Sequence, residues 1–71
     1  MKPNPITVTA NGKQEHLDSN CSVADFIEAH GWKPTQVVVE RNGSVLARNE
    51  LRSLMLADGD CLEVIVPVAG G

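Results

Sequence analysis

The chain closes on Gly70-Gly71, which puts a carboxylate at the end of two residues that carry no side chains. Glycine lacks a Cβ, so such a tail can enter a channel about as wide as a backbone and take dihedral angles there that other residues cannot. A partner enzyme could then close around the carboxylate of Gly71. A carboxylate is a poor electrophile until one oxygen becomes a good leaving group, and adenylation by ATP is the usual activation. The acyl-adenylate can accept a sulfur or an amine. Glycine is about 7% of average composition, so two closing glycines arise by chance about once in 200 chains. The competing reading is a frayed terminus in which glycine is merely tolerated. The preceding stretch, Cys61 to Val68, has the composition of a strong β-strand, which would fix the base of the tail and leave its tip flexible.

Other reactive residue types do not assemble into a motif. Cys21 and Cys61 are too few and too far apart for the dense cysteine framework of a small secreted domain, and reduced thiols are expected. Together with His16 and His30 they contain no Cys-x-x-Cys or His-x-x-x-His pair, so no metal site is expected. Nothing brings a thiol near a histidine for nucleophilic catalysis. A domain of 71 residues is small for an internal catalytic cleft, whereas a carrier or binding module needs none.

Charge narrows the partners. Six lysines and arginines against nine acids give a net charge of -3 with no basic run, and Phe26 and Trp32 are the aromatic residues. Phosphate binding needs concentrated positive charge and base stacking needs aromatics, so nucleic acid is not an expected partner. The apolar segments fall far short of a membrane span, and Met1-Lys2-Pro3-Asn4-Pro5 lacks the apolar region of a signal peptide. A cytoplasmic single domain over residues 1–71 is expected, with 1–5 a flexible arm and 67–71 the reactive tail.

Periodicity supplies the elements that position the tail. Ile6, Val8 and Ala10 alternate with Thr7 and Thr9 as in a half-buried strand, and Asn11-Gly12 signals a two-residue hairpin turn that returns Lys13 to Leu17 antiparallel. Ser22 as N-cap and Asp25 three residues on begin a helix from Val23 to His30, with Val23, Phe26, Ile27 and His30 on one face. Gly31 suits its C-cap, Pro34 stops it, and Trp32 is expected to fold back on its end. Val37-Val38-Val39 reads as a central strand buried in part on both faces. Asn42-Gly43 turns it into a short strand over Ser44 to Ala47, and Arg48 to Leu56 is expected to make one or two helical turns at an edge of the core.

After the Asp58-Gly59-Asp60 turn, Leu62, Val64 and Val66 should face the helix and leave Ile65 on the opposite face. Short loops make the hairpins antiparallel, so a parallel contact must join strands distant in sequence. Setting the last strand beside the first puts its apolar content at the sheet centre. The expected fold is therefore α+β, a β-grasp of about five mixed strands packed on one α-helix.

In this order of elements the chain resembles the ThiS family of sulfur carriers in thiamine biosynthesis, within the ubiquitin-like β-grasp superfamily. The residues that carry the resemblance are the opening strand with Asn11-Gly12, the start of the Val23 to Ile27 helix, Val39-Glu40-Arg41-Asn42-Gly43 with Arg48 beyond, Asp58-Gly59-Asp60, and Leu62-Glu63-Val64-Ile65 running into Val68-Ala69-Gly70-Gly71. Many members have glycine where this chain has Ala69. The resemblance implies a non-catalytic carrier that binds no cofactor of its own. An adenylyltransferase of the ThiF type would activate the Gly71 carboxylate with ATP. A sulfur donor such as a cysteine desulfurase would supply the sulfur, and the resulting thiocarboxylate would pass it to a ThiG-type thiazole synthase. Gly70 and Ala69 form the slim tail. Candidate docking residues are Ile65, Val68, Val37 and Val39, with Asp58, Asp60 and Glu63 as rim charges.

Three other readings stay open. A small subunit of molybdopterin synthase shares the fold and the Gly-Gly end, as do sulfur carriers of other pathways. A ubiquitin-like protein modifier would join Gly71 to a lysine through the same adenylate. An inert interaction module would not use the tail at all.

Overall fold

The computed structural model of the protein describes residues 4–67. Five strands and one α-helix run in the order β1 (Pro5–Ala10), β2 (Lys13–Asp18), α1 (Val23–Ala29), β3 (Val38–Arg41), β4 (Ser44–Val45) and β5 (Cys61–Ile65), with single 3₁₀ turns over Pro34–Gln36 and Arg48–Glu50. Both two-residue hairpins follow from Asn-Gly pairs that accept positive φ. Asn11 and Gly12 sit at 51° and 81°, and Asn42 and Gly43 at 51° and 88°, the mirror-image turn whose twist matches the flanking strands.

The strands form one sheet in the order β2-β1-β5-β3-β4. β1 pairs with β2 antiparallel and with β5 parallel, while β3 pairs antiparallel with both β5 and β4. The last strand therefore lies at the centre beside the first. This is the mixed α+β arrangement of a β-grasp.

α1 is seven residues long and depends on its ends. Its first N–H groups have no partner within the helix, and each finds one elsewhere. Val23 N donates to the carbonyl of Leu54, Ala24 N to that of Leu51, and Asp25 N to Ser22 Oγ at 3.0 Å, while Asp25 Oδ2 accepts from Ser22 N and completes a capping box. The segment after β4 thus anchors the helix start through its carbonyls as well as by burying Leu51 and Leu56. At the other end Gly31, at φ 83°, lets Gly31 N reach the Glu28 carbonyl and Trp32 N the Ile27 carbonyl, the pair of bonds that closes a helix on a left-handed glycine.

One helix covers one face of the sheet. Val23, Ala24, Phe26 and Ile27 pack against Ile6, Val8, Ala10, Val39, Leu62 and Val64, all buried. Three expectations are corrected by this geometry. The valine run is not buried on both faces, because among the described residues nothing covers the second face: Val37 and Val39 point inward at 6% and 1% exposure, and Val38 points outward at 41%. Val66 does not face the helix; it is 48% exposed, since β5 loses its last ladder partner at Ile65 and the alternation ends there. The helix stops at Ala29, one residue short of the expected His30, which is the exposed C-cap; its ring nevertheless packs on Phe26 at 4.6 Å between centroids, on the expected face. Its ring stacks on Trp32 at 5.2 Å, and its Nε2 lies 2.8 Å from Glu15 Oε1.

Candidate functional site: the exit of the last strand

The site is the end of β5 and the open face of the sheet around it. Ala69, Gly70 and Gly71, with Val68, lie outside the described residues. What the structure describes is the base from which they continue.

That base is held on both edges. On one side, β3 keeps β5 in register through Arg41↔Leu62, Glu40↔Glu63, Val39↔Val64 and Val38↔Ile65. On the other, β1 pairs through Thr9↔Cys61 and Ala10↔Leu62, with Asn11 N donating to the Leu62 carbonyl at 2.9 Å. Beyond that point the Asn11 side chain takes over: its Oδ1 accepts from Val64 N at 2.8 Å and its Nδ2 donates to the Val64 carbonyl at 3.3 Å. Asn42 performs the matching task at the start of β5, where its Oδ1 accepts from Cys61 N at 2.8 Å. In the sequence both asparagines carry only the signal of a turn residue. The available hint of more was a carboxamide that can donate and accept.

The open face presents the apolar and acidic groups nearest the exit. Ile65, 48% exposed, lies directly opposite Val38 across the β3–β5 ladder, and Val66 follows it. Directly opposed side chains of this kind touch and form a continuous apolar surface. Val37 and Val39, expected here as docking residues, belong to the core under α1 and offer no surface; Val38 is the exposed member of the run. One step further from the exit Glu40 and Glu63 stand opposite each other, and neither forms an ion pair among the described residues.

Two acids expected as rim charges are instead structural. Asp60 is 5% exposed; its Oδ2 accepts from Arg41 Nε at 3.1 Å and Ala57 N at 2.8 Å, and its Oδ1 from Asn42 Nδ2 at 3.1 Å. Asp58 Oδ1 accepts from Thr7 N at 2.8 Å. Arg41 therefore braces the turn before β5. Both cysteines are free thiols, Cys61 exposed at the start of β5 and Cys21 half-buried before α1. Burial, with lesser help from Asp25 and Asp18, pushes the Cys21 thiol up, which favours its protonated form. Among the described residues no three His, Cys, Asp or Glu side chains gather as metal ligands, and no helix is long and apolar enough to cross a membrane.

Comparison with known proteins agrees with this geometry. The profile of the ThiS family matches residues 4–71. A crystal structure of the thiamine biosynthesis protein ThiS from Geobacter metallireducens superposes with a TM-score of 0.76 at 30% identity, covering 93% of this chain and all of that one. A solution structure of a thiamine biosynthesis protein from the same organism gives 0.74 at 30% identity, covering 93% of this chain and 88% of that one. A thiazole synthase from Magnetococcus marinus (strain ATCC BAA-1437 / JCM 17883 / MC-1) is 26% identical over 66 residues, or 93% of this chain. The chain spans about a fifth of that curated relative's length, 20%. The match across the strands, the helix and the Gly-Gly end, together with the shared β-grasp fold, shows that this chain belongs to the ThiS family of sulfur carriers.

Proposed function

We propose that the Gly71 carboxylate of this protein is adenylated with ATP by a ThiF-type enzyme and converted to a thiocarboxylate that supplies sulfur for thiazole formation in thiamine biosynthesis. The carboxylate oxygen attacks the α-phosphorus of ATP and expels pyrophosphate. The terminal sulfur of a persulfide on a donor such as a cysteine desulfurase then displaces AMP to give an acyl disulfide, and a thiol cleaves its S–S bond, releasing the thiocarboxylate and leaving a disulfide on the donor side. The carrier contributes no catalytic group. Gly70 and Ala69 keep the approach to the reacting carbon slim, and the base of β5, held on both edges, fixes where the tail begins.

The observation that carries this reading is the family match through residue 71, which includes the terminal glycine pair. The likeness to a thiazole synthase supports the thiazole branch over a molybdopterin synthase subunit. Val38, Ile65 and Val66 supply an apolar centre for docking, with Glu40 and Glu63 as an acidic rim that favours a basic partner surface. Docking through a folded surface makes sulfur delivery effectively intramolecular.

The test is ATP–pyrophosphate exchange catalysed by a ThiF-type enzyme. Exchange that depends on the carrier and vanishes when Gly71 is removed is the expected result. Exchange that persists without Gly71 contradicts the assignment of the reacting carboxylate.

A further inference from the structure

We infer that Asn11 is a positioning residue: its side-chain carboxamide fixes the point at which the chain leaves the sheet toward Gly71. The inference rests on the proposed use of Gly71 for its consequence, and on the hydrogen bonds of β5 for its substance.

β1 is too short to accompany β5 to its end. Its ladder with β5 covers Thr9↔Cys61 and Ala10↔Leu62, and the chain then turns away at Asn11-Gly12 into β2. The edge of β5 from Glu63 onward would be bare on that side. Val64 N and the Val64 carbonyl are instead both bonded to Asn11, at 2.8 Å to Oδ1 and 3.3 Å to Nδ2. A planar carboxamide carries one acceptor and one donor group side by side, so it substitutes for the peptide of the missing strand. The φ of 51° at Asn11 aims the side chain there, and asparagine is among the few residues that tolerate that conformation.

Turn geometry alone does not require this pairing, since glycine or aspartate also suits a turn of this kind. Glycine offers no side-chain partner to Val64, and ionised aspartate offers an acceptor to Val64 N but sets a negative charge against the Val64 carbonyl. With Asn42 at Cys61 N, the two hairpin turns hold β5 at both ends through carboxamides. The last bonded residues on the two edges are Val64 and Ile65, so the strand ends abruptly. Gly71 follows seven positions after Val64, within about 24 Å of it, so the base of β5 sets the region from which the reactive end is presented. Fixing the base raises the fraction of carriers whose tail is aligned when the sheet face docks.

The experiment compares wild type with Asn11→Gly, which keeps the turn and deletes the carboxamide. Amide hydrogen exchange should accelerate at Val64 by roughly tenfold, the loss expected for removing its side-chain partner, while amides of α1 such as Ile27 keep their rate. In steady-state adenylation by the ThiF-type enzyme, the KM for the carrier should rise about threefold or more with kcat unchanged, because a lower competent fraction weakens apparent affinity and leaves the bound state intact. Asn11→Asp should not restore the wild-type KM. Ile6→Val, a core change remote from the exit, serves as the stability control and should leave KM unchanged. Unaltered exchange at Val64 in Asn11→Gly overturns the inference, and so does an unaltered KM with a wild type that is adenylated normally. A wild type that is not adenylated at all removes the proposed function instead, and the Val64 exchange rate then decides by itself whether Asn11 fixes the exit.

Discussion

Asp60 and Glu63, three residues apart, meet opposite conditions. Asp60 is buried and its carboxylate accepts three hydrogen bonds, one of them from the charged guanidinium of Arg41. Asp60→Ala would leave the Arg41 guanidinium, itself 23% exposed, without its carboxylate and would free two further donors. The expected cost is about 3–5 kcal/mol in a denaturant titration, the range for breaking a buried pair from one side. Glu63 stands in the open, opposite Glu40, with no cation paired to it among the described residues. Like charges directly opposed in a sheet are destabilising, so Glu63→Gln should raise stability by a few tenths of a kcal/mol. The same change should weaken and slow association with the adenylating enzyme, and the loss should shrink as salt rises. A variant that is both more stable and undiminished in association would show that Glu63 is not part of the docking rim.

Among the elements, β5 and α1 hold the fold together and were the most legible. Alternation placed Leu62 and Val64 inward and Ile65 outward, and Ser22, Asp25 and Gly31 marked both ends of the helix. Both hairpins followed from Asn-Gly, because few other pairs accept two successive positive φ angles. The parts that were not legible depend on contacts between segments far apart in sequence. The carbonyls of Leu51 and Leu54 cap a helix that begins some thirty residues earlier, and the bonds of Asn11 and Asn42 to β5 exist only once the sheet is assembled. The burial of Val37 and Val39 is not legible either, because a run of valines looks alike on both faces until the number of covering layers is known. Two substitutions measure the elements directly. Ser22→Ala removes the cap from a seven-residue helix and should cost about 1 kcal/mol. Leu62→Ala, at a fully buried position in the central strand, should cost about 2–5 kcal/mol, and a value near zero would mean that β5 does not organise the core.

At the scale of the molecule, one helix on one face divides the labour of the sheet. The covered face stabilises the domain, and the uncovered face is free to meet a partner beside the exit of the tail. The two thiols share this division. Cys61, exposed on β5, should be alkylated by iodoacetamide well before Cys21, which is half-buried with its thiol pushed up. Because the folded state holds the Cys21 proton at a pH where the unfolded chain has released it, stability should decline as pH rises past about 9. Replacing Cys21 with alanine should flatten that alkaline slope in a pH series of thermal melts.

The most direct measurement of the central claim is intact-mass spectrometry of the carrier, with a native C-terminus, after incubation with ATP, a ThiF-type enzyme and a sulfur source. A mass gain matching replacement of one oxygen by sulfur, absent when Gly71 is removed, is the result this account predicts. An unchanged mass for a folded carrier, in a reaction where the same enzyme modifies another ThiS protein, would contradict it.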